Sequence, residues 1–218
     1  MKDNVEQIAH TIFSLFEKER VRCYGHSHEY EDFHNHENSH SNKQSYIVAI
    51  DGRCGSGKTT LASYLQKQRD CTVIHMDHFF LRPEQRTAGR LQTPGGNVDY
   101  ERFIEEVMVP LKQGVSFRYC PYDCSRQVLA EPIEIEPKDI VIVEGSYSCH
   151  PALWDDYDLR VFLTVDSKRQ LERIRRRNGD MAVATFQDKW IPLEEKYFAA
   201  YRTEERCDLR FEMQDRKI

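Results

Sequence analysis

The chain has 218 residues, 39% of them hydrophobic, with 31 basic against 36 acidic side chains and a formal net charge of -5. That length suits one domain with an appended segment and is enough to bury a substantial core. The two charge signs are interleaved and the balance is acidic, which argues against a nucleic-acid partner, and no apolar run approaches the length of a membrane span.

Val5, Ile8, Ile12, Leu15 and Phe16 recur at helical spacing, so residues 1–22 are expected to form an amphipathic helix packed on the domain. The same stretch lacks the uninterrupted apolar core of a signal peptide, and a cytoplasmic protein is expected. Residues 23–44 differ in character: His26, His28, His34, His36 and His40 stand among acids and asparagines with almost no apolar neighbours. Such a segment cannot bury enough surface to offset its ordering entropy, so a mobile loop without an assigned role is expected, followed by a folded unit over 45–218.

The stretch AIDGRCGSGKTT begins at Ala49, and its Gly52, Gly57, Lys58 and Thr59 complete the pattern GxxxxGK(S/T). In such a loop the backbone amides, here including those of Cys54, Gly55, Ser56 and Thr60, wrap phosphate oxygens. The lysine reaches the β and γ phosphates, and the hydroxyl ligates Mg²⁺. SYIVAID just before it reads as a buried strand and KTTLASYLQKQ just after it as a helix, the order this motif requires.

CTVIHMD and KDIVIVEGSYS read as further strands ending in the carboxylates Asp77 and Glu144, and DLRVFLTV and CDLRFEM supply two more. DYERFIEEVMVPLKQ and SKRQLERIRRRNG read as intervening helices. Strands alternating with helices predict an α/β fold with three layers and a central, mostly parallel five-stranded sheet. Ligands of such sheets bind beyond the carboxyl ends of the strands, where the loop, Asp77 and Glu144 all fall. Phe186, Trp190, Leu193, Tyr197 and Tyr201 form a further helical stripe, read as core, with Pro192 restarting the helix. Seven cysteines at irregular spacing suit reduced thiols, and Cys120 with Cys124 has no second pair to complete a zinc site.

A carboxylate at a strand tip beside the transferring phosphate can take the proton of an attacking hydroxyl, which a phosphotransferase needs and a nucleotide switch does not. No asparagine-lysine-x-aspartate element for guanine follows the third strand. DGRCGSGKTTLA, HMDHFF, GGNVDYERF, CPYDC and VIVEGSYS, in that order, resemble the uridine kinase and phosphoribulokinase family of P-loop kinases, most closely its bacterial uridine kinase-like branch. The likeness runs from about Tyr46 to Phe211.

The resemblance implies a kinase using ATP and Mg²⁺. Asp77 would be the base that activates the acceptor hydroxyl near the metal, with Thr59 and Glu144 also at Mg²⁺. Phe80 and Arg82 would flank the acceptor, Asp99 would hold ribose hydroxyls, and Tyr122 would lie near the base. Where family members carry a pyrimidine-reading histidine after the tyrosine-aspartate pair, this chain has Gln127 nearby, which can also pair with a base edge.

The arginines of ERIRRRNG fall where such kinases place a helical lid, here about 173–185. Arg173 and Arg177 share a helical face and are expected to reach the phosphates. The acceptor so implied is the 5'-hydroxyl of a uridine- or cytidine-like nucleoside. Arg86, Arg90 and Arg102 add positive charge near it and leave open an anionic acceptor such as pantothenate or a phosphosugar. Nicotinamide riboside and a non-catalytic nucleotide-binding regulator also stay open. The resemblance is compatible with a homo-oligomer and implies neither nucleic acid nor membrane as partner.

Overall fold

A computed structural model describes residues 2–24 and 45–214. Helix α1 (Lys2–Tyr24) buries Val5, Ile8, Ala9, Ile12 and Phe16, with Leu15 partly buried beside them. The five histidines of the expected loop lie at 25–44, outside the described residues.

After β1 (Tyr46–Gly52) come α2 (Lys58–Gln68) and β2 (Thr72–His75). β2 stops two residues before Asp77, which sits instead in a 3₁₀ turn, Met76–Phe79. Then follow α3 (Ala88–Gln92), α4 (Tyr100–Phe103), a π turn (Ile104–Met108) and α5 (Val109–Lys112). Four short strands follow: β3 (Phe117–Tyr119), β4 (Tyr122–Asp123), β5 (Val128–Leu129) and β6 (Ile133–Ile135). β7 (Ile140–Glu144) and β8 (Leu159–Thr164) return to the main sheet. The chain closes with α6 (Ser167–Asn178), α7 (Asp180–Thr185), a π turn (Phe186–Trp190), α8 (Ile191–Tyr201), α9 (Thr203–Arg206) and β9 (Leu209–Glu212).

The main sheet has the order β2-β7-β1-β8-β9, and every neighbouring pair is parallel. Two-residue periodicity explains why it is covered on both faces. Along β1, Ile47 and Ala49 enter one core with Phe79, Phe103 and Tyr197, whereas Val48 and Ile50 enter the other with Leu61, Leu65 and α1. β7 alternates likewise, Val141 and Val143 against Ile140 and Ile142. The fold is therefore α/β with three layers.

Both π turns lie just ahead of a proline, Pro110 and Pro192. Proline has no N–H for the carbonyl four residues back, and its ring crowds that carbonyl, so a widened turn relieves both problems. The second one re-aims the aromatic stripe, since one extra residue rotates a helical face by about 100°. Tyr197 is fully buried as the stripe predicts, but Phe186 and Trp190 turn into the cavity described next. The small antiparallel pairs β3 with β6 and β4 with β5 were not legible as strands, because they are two or three residues long.

Candidate active site

The carboxyl ends of β1, β2 and β7 open into a cavity of about 810 Å³. β1 delivers the glycine-rich loop, and Gly57, at φ 102°, turns the chain into α2 so that Lys58 is its first residue. Lys58 is nearly buried and donates from Nζ to the carbonyls of Gly52 (2.6 Å) and Arg53 (3.2 Å) and to Ser146 Oγ (3.4 Å). The next hydroxyl, Thr59 Oγ1, lies 3.1 Å from both carboxylate oxygens of Glu144. Strand register makes that meeting possible, since β7 runs beside β1 with Glu144 opposite Ile50.

His75, opposite Glu144 on β2, brings Nδ1 to 2.5 Å from Glu144 Oε1. This hydrogen bond raises the imidazole pKa against the opposing effect of burial. Asp77 lines the same cavity and its side chain is open to it. The enclosing protein raises its pKa, Glu144 adds to the rise, and Lys58, Arg177 and His75 oppose it.

Of the lid arginines, Arg173, Arg176 and Arg177 face the cavity, whereas Arg175 pairs with Asp180 at 2.6 Å. Arg173 Nη1 donates to the Gly55 carbonyl at 3.0 Å, and Arg177 lies over the Phe186 ring. Cys54, Gly55, Gly57 and Thr60 also line the cavity, as does Phe80. Gly52 and Ser56 do not; both are buried.

Four residues implied as acceptor ligands lie off this cavity. Asp99 caps α4, accepting from Arg102 N at 3.2 Å and from Gln85 Nε2 at 2.7 Å. Arg82 is engaged by Gln85 and Glu84. Tyr122 is buried with its hydroxyl 3.3 Å from Arg86 Nη2, and Gln127 is exposed at φ 56° between β4 and β5. Two of the nearby arginines are structural pins. Arg90 forms a two-point pair with Glu101 at 2.6 Å, and Arg102 bonds the carbonyls of His78 and Cys120 as well as Glu106. Arg86 alone of the three faces the cavity.

Asp51 and Glu194 carry the network behind the site, and neither belongs to the phosphate-loop pattern. Asp51 is fully buried and accepts from the N–H groups of Gly52 (2.7 Å), Tyr147 (3.1 Å) and Cys149 (2.9 Å) and from the Tyr197 hydroxyl (2.9 Å). Tyr147 adopts φ 72°, a conformation that a bulky residue keeps only when its surroundings hold it. Asp51 supplies that hold and so positions the loop after β7. Glu194 lies on the buried face of α8, three residues before Tyr197. An acid set within an aromatic stripe is the sequence signal that could have found it.

Burial pushes the Asp51 carboxyl up to about 6, with Lys58 and its hydrogen bonds opposing. The folded chain therefore keeps a proton that the unfolded chain releases, so this group favours folding at low pH and loses that contribution as pH rises through about 6. The loss amounts to about 3 kcal/mol by pH 7. Urea unfolding at a series of pH values should accordingly show the stability of Asp51→Asn, relative to wild type, rising between pH 4 and 7. A pH-independent difference would refute the assignment.

No family model matches the chain. A curated uridine kinase from Macrococcus caseolyticus (strain JCSC5402) is 31% identical over 142 residues, covering 60% of this chain and 68% of the relative. Among solved structures, a possible uridine kinase from Bacillus stearothermophilus aligns over 96% of this chain and 98% of its own at 16% identity, with a TM-score of 0.62. A D-glycerate 3-kinase from Cryptococcus neoformans var. grubii aligns over 95% and 94% at 18% identity, with a TM-score of 0.63. The structural likenesses establish the same fold. With the glycine-rich loop at the end of β1 in an all-parallel five-stranded sheet, and a relative of this identity, the chain belongs to the uridine kinase family of P-loop kinases.

Proposed function

We propose that the protein is an ATP- and Mg²⁺-dependent kinase that transfers the γ-phosphoryl group to a hydroxyl of a small molecule, the 5'-hydroxyl of a uridine- or cytidine-like nucleoside being the first acceptor to test. The observation that carries this reading is the convergence of Lys58, Thr59 with Glu144, Asp77 and three lid arginines on one cavity. The oxygen-only set of Thr59, Glu144 and Asp77 suits a hard divalent cation, which supplies charge neutralisation to phosphates when bound. Loop amides and Lys58 hold the phosphates in line, Asp77 accepts the acceptor's proton, and the guanidinium groups of Arg173 and Arg177 stabilise charge on the transferring oxygens and exclude water.

The name of the curated relative supports a nucleoside acceptor. Phe80 provides an aromatic wall for it, and the roles implied for Arg82, Asp99, Tyr122 and Gln127 require those elements to close further on the acceptor. No helix among the described residues is long and apolar enough to cross a membrane. Cys54, Cys71, Cys120, Cys124, Cys149 and Cys207 are free thiols, which supports a cytoplasmic setting.

A second reading rests on Arg86. Its guanidinium donates to the Leu81 carbonyl at 3.0 Å and to the Tyr122 hydroxyl, faces the cavity, and has no carboxylate within 4.0 Å among the described residues. A fixed cation without a counter-charge suits an acceptor that brings its own anionic group. ADP release with Mg²⁺ and ATP across uridine, cytidine, purine nucleosides, nicotinamide riboside, pantothenate and sugar phosphates separates the two. Stimulation by uridine or cytidine supports the first reading. Stimulation by an anionic acceptor, with KM raised about tenfold or more in Arg86→Gln, supports the second. A flat panel despite tight ATP binding would overturn the kinase assignment.

A further inference from the structure

Two consecutive acids of α8 grip two consecutive residues of the phosphate loop. Glu195 takes the Arg53 guanidinium at two points, Oε1 to Nε at 2.7 Å and Oε2 to Nη2 at 3.0 Å. Glu194 instead takes loop backbone: its Oε2 accepts from the Cys54 N–H at 3.0 Å, and its Oε1 accepts from the Ser146 hydroxyl at 2.5 Å. Ser146 in turn accepts from Lys58 at 3.4 Å. Glu194 is only 4% exposed, yet it contributes to the wall of the nucleotide cavity.

A buried carboxylate thus holds an N–H of the loop whose amides bind phosphate, and it shares the lysine on which phosphate depends. Carboxylate and phosphate oxygens are interchangeable acceptors for such a donor, and one N–H cannot serve both well. In a site partly shielded from water, their like charges also repel more strongly than in bulk.

We propose that Glu194 is an internal competitor for phosphate that sets the nucleotide affinity of this kinase. It takes the Cys54 amide and, through Ser146, a share of the Lys58 charge. Phosphate binding must displace it or work against it. This inference rests on the nucleotide-binding reading above and adds to it a residue outside the loop motif.

The test is calorimetric titration of wild type, Glu194→Gln and Glu195→Gln with ADP and a non-hydrolysable ATP analogue. Glutamine keeps the shape and one acceptor oxygen but removes the charge, so Glu194→Gln should bind the ATP analogue about tenfold more tightly. The gain should be smaller for ADP, which carries less charge. Glu195→Gln, which weakens the Arg53 pair without freeing a loop amide, should show no gain. A mere strut predicts the opposite, with affinity unchanged or weaker in Glu194→Gln.

Wild-type binding without that tightening overturns the inference alone. Absence of binding in every protein overturns the kinase reading and the inference together. Should Glu194→Gln not fold, the amide resonance of Cys54 in ¹⁵N-labelled wild type decides. The inference requires it to move when the ATP analogue is added, and an unmoved resonance overturns it.

Discussion

Asp77→Asn is expected to lower turnover by roughly 10²–10⁴-fold, the usual contribution of a positioned base, while ATP still binds. The argument is geometric. Asp77 sits in the turn just past β2, its side chain opens into the cavity, and Lys58, Glu144 and Arg177 all act on its charge. A neutral amide in the same place keeps the shape but cannot take a proton.

Lys58→Ala should fail differently, because its ammonium reaches the phosphates and not the acceptor. Binding should weaken there before any question of proton transfer arises. Single-turnover rates and nucleotide titrations on the two variants separate the roles. Near wild-type turnover in Asp77→Asn would remove it from the mechanism.

Gly52→Ala is expected to abolish the fold, with a loss above about 4 kcal/mol. Gly52 has φ 131°, and a Cβ there would stand 1.9 Å from the carbonyl oxygen of Leu163 and 2.7 Å from that residue's carbonyl carbon and amide nitrogen. The obstacle is the backbone of β8, the neighbouring central strand, so no side-chain rotation can relieve it. Gly89→Ala is the matched control: nothing lies within 4 Å of its added methyl. Thermal unfolding should find that variant as stable as wild type or slightly more so, by about 0.4–1 kcal/mol. Soluble, cooperatively melting Gly52→Ala would show that the start of the loop can shift where the structure says it cannot.

The contrast between these glycines shows how far a pattern reaches. The motif assigns Gly52 to phosphate binding, yet it lies off the cavity and its glycine is demanded by the neighbouring strand. The motif cannot say so, because β8 arrives more than a hundred residues later. Asp99 teaches the same lesson. Its setting in NVDYERF matches a ligand-holding carboxylate by resemblance, and in the fold its oxygens are taken by Arg102 N and Gln85.

Local signals determined a good deal of this protein. The helix after the loop runs over Lys58–Gln68 as its sequence reads, β1 and β7 fall on the β-branched runs, and the five main strands come from five apolar segments. Each rests on interactions within a few residues, or on a periodicity that any window of sequence displays.

Tertiary structure decided what depends on charges and backbones meeting across the chain. It made Arg90 and Arg102 structural and left Arg86 facing the cavity. It brought Phe186 and Trp190, both only partly buried, to the cavity wall through a π turn, and it set Asp51 and Glu194 behind the phosphate loop. The physical reason is common to all of these. The environment of a buried polar group is fixed by partners that packing supplies, and for Glu194 and the Cys54 amide those partners lie 140 residues apart.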